Sequence, residues 1–271
     1  MEHQIKIAVS CLEYPGVDLN DIFAKIKDWG VEYVEIGYAE NLLPLNYGVS
    51  DLSQMISRRQ LRIAALNVAA LKYLKDTLDI AGELGVKMVI LRDGGDIETQ
   101  TAKNVALHNY KNQLAAYWPQ VAKHGIKIAL ENTTIGITRH PDDLRKLIDH
   151  IGSDYFGVNY DPSNFYNAGA EGYPYGYEVL KDKIAYVHAK DSTRYKENLY
   201  GQEIRVLHRA GGNVICVPLG KGALNWEGIM TRLLNDGYQG FIGIEPHTQA
   251  EAMDDMFIQN IQYLRKLLLK D

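Results

Sequence analysis

Apolar residues along the chain follow two alternating rhythms. Short runs rich in β-branched and aromatic residues recur near 5–9, 31–36, 61–66, 86–91, 126–131, 155–161, 183–188 and 241–245. Their length and composition predict strands. Between them apolar positions return every three or four residues, as at Leu71, Leu74, Leu78, Ala81 and Leu84, and again at Ile258, Ile261, Leu264 and Leu268. That spacing predicts helices with one buried face. The helical stretches run over Asp18–Trp29, Asp51–Gln60, Leu71–Leu84, Thr101–His124, Pro141–His150, Tyr175–Lys181, Asn225–Asn235 and Ala250–Leu269.

The joints repeat as well. Trp29-Gly30-Val31, Leu84-Gly85-Val86 and His124-Gly125-Ile126 each place a glycine between a helical stretch and the next strand, with a looser copy at Asp236-Gly237-Tyr238. Glycine ends helices because it accepts the left-handed conformation at their C-terminus. Strict alternation of strand and helix argues for a parallel sheet covered by helices. Eight such units in 271 residues fit a closed α/β architecture, the (β/α)8 TIM barrel, whose usual length is ~250 residues. No linker or low-complexity stretch divides the chain, so 1–271 is expected to be a single barrel domain. One connection is long. Between Asp191 and Leu224, the runs Glu203–His208 and Asn213–Val217 flank Gly211-Gly212, which predicts a hairpin insertion after strand seven. Its expected role is a lid or a subunit contact.

Composition narrows the function. The net charge is -5 and the isoelectric point about 5.9, so the basic footprint of a nucleic-acid binder is missing. No apolar run approaches the ~20 residues that span a bilayer, and no membrane partner is expected. The N-terminal residues carry no signal-peptide pattern, and Cys11 and Cys216 stand far apart without metal spacing. Reduced thiols in a cytoplasmic protein are the expectation. No Gly-x-Gly-x-x-Gly follows an early strand, which removes the usual signature of a dinucleotide site. The short Gly220-Lys221-Gly222 triplet is too brief for a phosphate-binding nest.

Barrel chemistry belongs to the C-terminal ends of the strands. Strand five ends in Glu131, strand six in Asp161, strand seven in His188 and strand eight in Glu245. Any one of them has an ordinary structural explanation: a salt bridge for Glu131, a cap before Pro162 for Asp161, a satisfied core histidine for His188. Four on neighbouring strands at one level are harder to explain that way, because ionised groups at the ends of apolar strands are costly unless paired or bound to a metal. Three carboxylates and an imidazole form a hard donor set suited to Mn2+ or Mg2+, with Co2+ and Zn2+ also compatible. Glu35, Asn67 and Arg92 fall at the ends of strands two, three and four. His247 follows Glu245, and Tyr166, Tyr173, Tyr175 and Tyr177 crowd the loop after strand six. Of Lys190 and Asp191, alternation along an extended strand lets only one face the site.

These residues resemble the xylose-isomerase-like superfamily, and within it the sugar phosphate isomerase/epimerase group, which includes ketose 3-epimerases, hydroxypyruvate isomerases and inosose dehydratases. The resemblance covers essentially the whole chain. It implies that Glu131, Asp161, His188 and Glu245 hold one divalent metal ion and that Glu131 and Glu245 also serve as catalytic acid and base. The run His188-Ala189-Lys190-Asp191-Ser192-Thr193-Arg194 is similar to the group's His-x-x-acid-x-x-Arg, which puts Asp191 and Arg194 near substrate oxygens. Asn164, Lys190, Glu35, Asn67 and His247 complete the expected substrate-binding set. Asn164 departs from the ketose epimerases, which carry a histidine there, and the insertion is longer than theirs.

The implied activity is isomerisation or epimerisation of a small keto-sugar through a metal-stabilised enediolate. A lyase or dehydratase acting on a keto-inositol or oxidised (3-keto) sugar is the alternative, and a non-catalytic sugar-binding or partner-stabilising subunit is a second. The expected partner is a small sugar or polyol, and by analogy the chain forms a homodimer or tetramer.

Overall fold

The computed structural model describes residues 5–14, 17–37, 47–92, 100–196, 205–209 and 211–269. Along the chain come strands β1 (Lys6–Ser10), β2 (Tyr33–Gly37), β3 (Arg62–Val68), β4 (Met88–Leu91), β5 (Lys127–Glu131), β6 (Phe156–Tyr160), β7 (Ile184–Ala189), β8 (Asp191–Arg194), β9 (Leu207–Arg209), β10 (Gly212–Val217) and β11 (Phe241–Ile244). Eight of them close a parallel barrel in the order β1-β11-β7-β6-β5-β4-β3-β2. The helices are α1 (Leu19–Asp28), α2 (Val49–Arg58), α3 (Leu74–Leu84), α4 (Gln100–Ala115), α5 (Trp118–His124), α6 (Pro141–Ile151), α7 (Pro162–Ala168), α8 (Tyr177–Leu180), α9 (Trp226–Asn235) and α10 (Met253–Leu268). No helix among the described residues is long and apolar enough to cross a membrane.

Period-two alternation divides the apolar residues into two cores. The outward positions (Val9, Val34, Ile36, Leu66, Val89, Leu91, Ile128, Leu130, Val158, Val187, Ile242, Ile244) join one large cluster with the helices. The inward positions form a small second cluster of Ala8, Ala64, Ala65, Ile90, Ala129 and Tyr186. Four alanines, one isoleucine and one tyrosine, with Tyr33, Met88, Ala185 and Phe241 packed against them, fill the barrel interior as a packed core.

Inward positions turn polar at the C-terminal end of each strand. Ser10, Glu35, Asn67, Glu131, Asn159, His188 and Glu245 continue the inward parity of their strands, and all are buried. Register sets their relative heights: Ser10 stands opposite Glu35 and Glu131 opposite Asn159, whereas Asn67 stands opposite Gly37, beyond Glu35, and His188 opposite Gly243, before Glu245.

Several boundaries differ from expectation. The stretch 101–124 is two helices, because Pro119 at the start of α5 has no N–H to continue the ladder from α4. The first turn at Leu71–Tyr73 is a 3-10 turn. The glycine joints at 85 and 125 sit at φ 69° and 59°, the left-handed caps their position predicts. The unforeseen helix is α7, whose N-cap is Asp161. An Asp followed by Pro at the first helical position is a start signal in itself, and Asp161 caps this helix as well as facing the cluster.

The connection after β7 folds as an antiparallel sheet in the order β8-β10-β9. Glu203 and Ile204 of the expected hairpin lie outside the described residues. Asp191 anchors this insertion. Its Oδ1 accepts the backbone N–H groups of Ser192 (2.9 Å) and Leu224 (3.2 Å), and its Oδ2 those of Gly220 (3.0 Å) and Gly222 (3.1 Å). The Gly220-Lys221-Gly222 turn therefore does cradle an anion, one supplied by the chain itself. Gly222 leaves no room for a Cβ beside that carboxylate. Replacing Asp191 by Ala strands four donors. We expect a loss of about 3 kcal/mol, because an unmade bond costs about 1–3 kcal/mol at a buried donor and Ser192 is the buried one of the four, while water reaches Gly220, Gly222 and Leu224. Chemical denaturation measures it, and limited proteolysis should show faster cleavage near 218–224.

Candidate metal centre

Glu131, Asp161, His188 and Glu245 converge where β5, β6, β7 and β11 end. One ligand atom of each lies within 4.8 Å of the others, and all four residues are buried. The His188 ring presents Nδ1 to this cluster, 3.2 Å from Glu131 Oε1 and 3.4 Å from Glu245 Oε2. Asp161 divides its two oxygens between tasks. Oδ1 accepts the Asn164 backbone N–H at 2.9 Å and caps α7, while Oδ2 faces the cluster 2.8 Å from Lys190 Nζ.

Of the Lys190–Asp191 pair, Lys190 faces the site. Its ammonium also approaches Glu245 Oε2 (3.1 Å) and His247 Nε2 (3.1 Å). Burial opposes the charge on Lys190, but Asp161, Glu245 and Glu131 raise its pKa above the ordinary lysine value, so it is a permanent cation. Burial likewise opposes ionisation of Glu245, and the neighbouring His188, Lys190, His247 and Arg92 hold its pKa low nevertheless. Asp161 moves the other way, since burial raises its pKa and Lys190 only partly compensates. Arg92 reaches in from the end of β4, 3.5 Å from Glu245 and 3.8 Å from Glu131.

The donor set fits a divalent cation on two counts. Glu131 Oε2 is buried and has no hydrogen-bond partner, with the Arg92 guanidinium no nearer than 3.8 Å, an expensive state for a carboxylate oxygen. In addition, the four buried carboxylates Glu35, Glu131, Asp161 and Glu245 face two permanent cations, Lys190 and Arg92. With His188 in the neutral form that a metal ligand requires, two negative charges remain, which one divalent ion would cancel. Three carboxylates and an imidazole suit hard or borderline ions. Glu13, Glu245 and His247 also draw close, but the Lys190 ammonium already supplies positive charge there.

A cavity of about 210 Å³ opens above the cluster. Glu131, Glu245, Lys190, Arg92 and His247 form its floor and flank, with Asn164 and Asn167 from α7, Thr133 and Thr134 from the loop after β5, and Leu207 from the insertion. Asn164 Nδ2 bonds Glu131 Oε1 at 3.2 Å. His247 Nδ1 lies 3.0 Å from Glu13 Oε1. Asn167 is 1% exposed, and its Oδ1 has no hydrogen-bond partner.

Other expected substrate contacts lie elsewhere. Glu35 and Asn67 are not on the rim. Both are fully buried below the cluster, where Glu35 Oε2 is 3.0 Å from His188 Nε2 and Asn67 Nδ2 bonds Glu35 Oε1 at 3.0 Å. Asp191 faces away into the insertion. The Arg194 guanidinium stacks on Tyr166 at 4.6 Å and donates to the Tyr166 carbonyl, tying β8 to α7 instead of lining the cavity. Tyr173 and Tyr177 pack edge to face, and Tyr175 donates to Asp142. Glu13 and Asn167 went unremarked in the sequence. Asn167 had a signal in the α7 start at Asp161-Pro162, whereas Glu13 lies in a 3-10 turn, Cys11–Glu13, that carries none.

The model of the xylose isomerase-like TIM barrel family matches residues 23–267. The chain belongs to that family. The uncharacterised Bacillus subtilis protein YfiH is 25% identical over 245 residues, covering 76% of this chain and 78% of that protein. Among solved structures, an L-ribulose 3-epimerase superposes with a TM-score of 0.73 at 15% identity, covering 97% of this chain and 94% of the other. The probable 3-DHS dehydratase AsbF of Bacillus anthracis gives 0.73 at 14% identity, covering 96% and 99%. At these identities the superpositions establish the fold.

Elemental analysis of the purified family member tests the centre. A single divalent ion per chain is expected. Glu131→Gln and His188→Ala should each weaken its affinity at least 100-fold, since each removes a ligand that preformed geometry holds in place. Stoichiometric metal in both variants would show that these residues are not ligands.

Proposed function

We propose that this chain is a metal-dependent enzyme that moves a proton on a small keto-sugar, and that it works as an isomerase or epimerase. The observation that carries this reading is the placement of Glu131 and Glu245. They come from β5 and β11, separated around the barrel by β6 and β7, yet both border one cavity and one cluster. A substrate carbon between them has a carboxylate on each side.

Glu131, Asp161, His188 and Glu245 would hold the ion, Mn2+ or Mg2+ by the hardness of the set. When bound, the ion draws in the substrate oxygens and stabilises negative charge developing on them. The chain's own groups do the rest. One glutamate takes the proton from the carbon beside the carbonyl, and the other returns a proton on the opposite face or at the neighbouring carbon. Glu245, which borders the cavity beside Lys190 and Arg92, is the carboxylate suited to begin as the base. Asn164 keeps Glu131 Oε1 turned toward the cavity, and Arg92 and Lys190 hold both carboxylates in place. The unpartnered Oδ1 of Asn167 is an acceptor for a substrate hydroxyl. Leu207 closes the cavity on the insertion side and limits water.

A dehydratase is the second reading, favoured by one observation. His247, backed by Glu13, stands beside Glu245 and Lys190, where an acid could protonate a departing hydroxyl. The fold does not choose, since the epimerase and the dehydratase superpose equally well.

The test uses a panel of ketopentoses, ketohexoses and keto-inositols in D2O with Mn2+ or Mg2+. Deuterium entering the carbon beside the carbonyl without loss of water is the expected result. Glu245→Gln should lower turnover by at least ~10³, within the range of general acid–base contributions. A variant that turns over like the wild type would remove Glu245 from the chemistry, and water loss would select the dehydratase.

A further inference from the structure

Beneath the metal cluster lies a carboxylate that the proposed reaction does not use. Glu35 is fully buried in the barrel interior and does not border the cavity. A lone ionised carboxylate in such a place costs several kcal/mol unless it is paired. Its contacts are specific. Oε1 accepts from Asn67 Nδ2 at 3.0 Å and from Ser10 Oγ at 3.5 Å. Oε2 stands 3.0 Å from His188 Nε2. Among the described residues, His188 is its one ion-pair partner.

The surrounding barrel is shaped to admit this contact. A Cβ on Gly243 would come within 2.7 Å of Glu35 Oε2 and 2.8 Å of the Tyr186 hydroxyl, so strand β11 needs a glycine there. Tyr186 packs edge-on against the His188 ring at 5.7 Å and 88°, which fixes the plane of the imidazole. The other ring nitrogen, Nδ1, points to the opposite side, between Glu131 Oε1 and Glu245 Oε2. Asn159 Nδ2 lies 3.0 Å from the same Nδ1, an amide contact that a metal at this nitrogen would displace.

We infer that Glu35 is the positioning carboxylate of His188. Its Oε2 accepts a hydrogen bond from His188 Nε2–H, which fixes the tautomer and so presents the Nδ1 lone pair to the metal position. This rests on the metal reading above and adds a residue one layer below the ligands. Ser10, Asn67 and Gly243 act through Glu35, by holding it or making room for it.

Calorimetric titration with Mn2+ tests the inference on wild type, Glu35→Gln, Glu35→Leu and Gly243→Ala. Outer carboxylates of this kind typically account for 10- to 100-fold in metal affinity. Glu35→Gln keeps an acceptor but loses the charge, and about 10-fold weaker binding is expected. Glu35→Leu loses both, with about 100-fold weaker binding expected. Gly243→Ala should weaken binding without altering any charge. Ring 1H–15N spectra of zinc-loaded protein should show a downfield, slowly exchanging His188 Nε2–H in wild type that is lost in Glu35→Leu, a change that a carboxylate not bonded to the ring would not produce. Wild-type affinity in both Glu35 variants, or a proton on Nδ1, would overturn the role of Glu35 while leaving the metal centre standing. Failure of the wild type to bind any ion would overturn both.

Discussion

Repulsion among four carboxylates buried at one end of an apolar barrel is the constraint on which the rest of the structure depends. Two unit charges 4 Å apart interact by about 4 kcal/mol at an effective dielectric of about 20. Several such pairs would outweigh much of a domain's net stability of about 5–15 kcal/mol. Every neighbour of the cluster answers this. Lys190 reaches Asp161 and Glu245, Arg92 reaches Glu245 and Glu131, His188 lies among Glu35, Glu131 and Glu245, and the proposed divalent ion would supply the charge still missing.

The barrel is built to bear that cost. Its interior cluster is mostly alanine, with Ile90 and Tyr186, which lets the strands close and buried polar side chains stack above. Stability comes from the outer core, where strands and helices share one large apolar cluster. The two cores are separate, so the polar end can be tuned by substitution without disturbing the packing that keeps the barrel closed. The insertion follows the same economy of charge. Asp191 is buried but surrounded by four backbone donors, and it sets the sheet that carries Leu207 to the cavity.

The four ligand-type residues were legible because a parallel barrel imposes two regularities on its sequence. Strands recur between helices, and the residue that ends each strand points to one rim. Glu131, Asp161, His188 and Glu245 could be found by locating strand ends alone. Lys190 and Asp191 could be separated into inward and outward residues by parity, but which was inward depended on the phase of β7. Glu35 and Asn67 were placed at the right strand ends and at the wrong depth. Depth depends on the stagger between strands, and β2 and β3 shift register between Val34 and Glu35. Arg194 was misplaced for a different reason. Beyond β7 the chain leaves the barrel for another sheet, and strand parity ceases to report on the rim.

The sequence by itself determined the barrel, its single alternating plan and the set of metal-type residues, because these follow from periodicities of two and 3.6 that need no knowledge of contacts. Tertiary structure alone decided the cavity, the Glu13–His247 pair, the unpartnered Asn167 and the link from Glu35 to His188. Each of those brings together side chains from strands or loops far apart in sequence. Their meeting depends on the tilt and stagger at which the barrel closes, a property of all eight strands together.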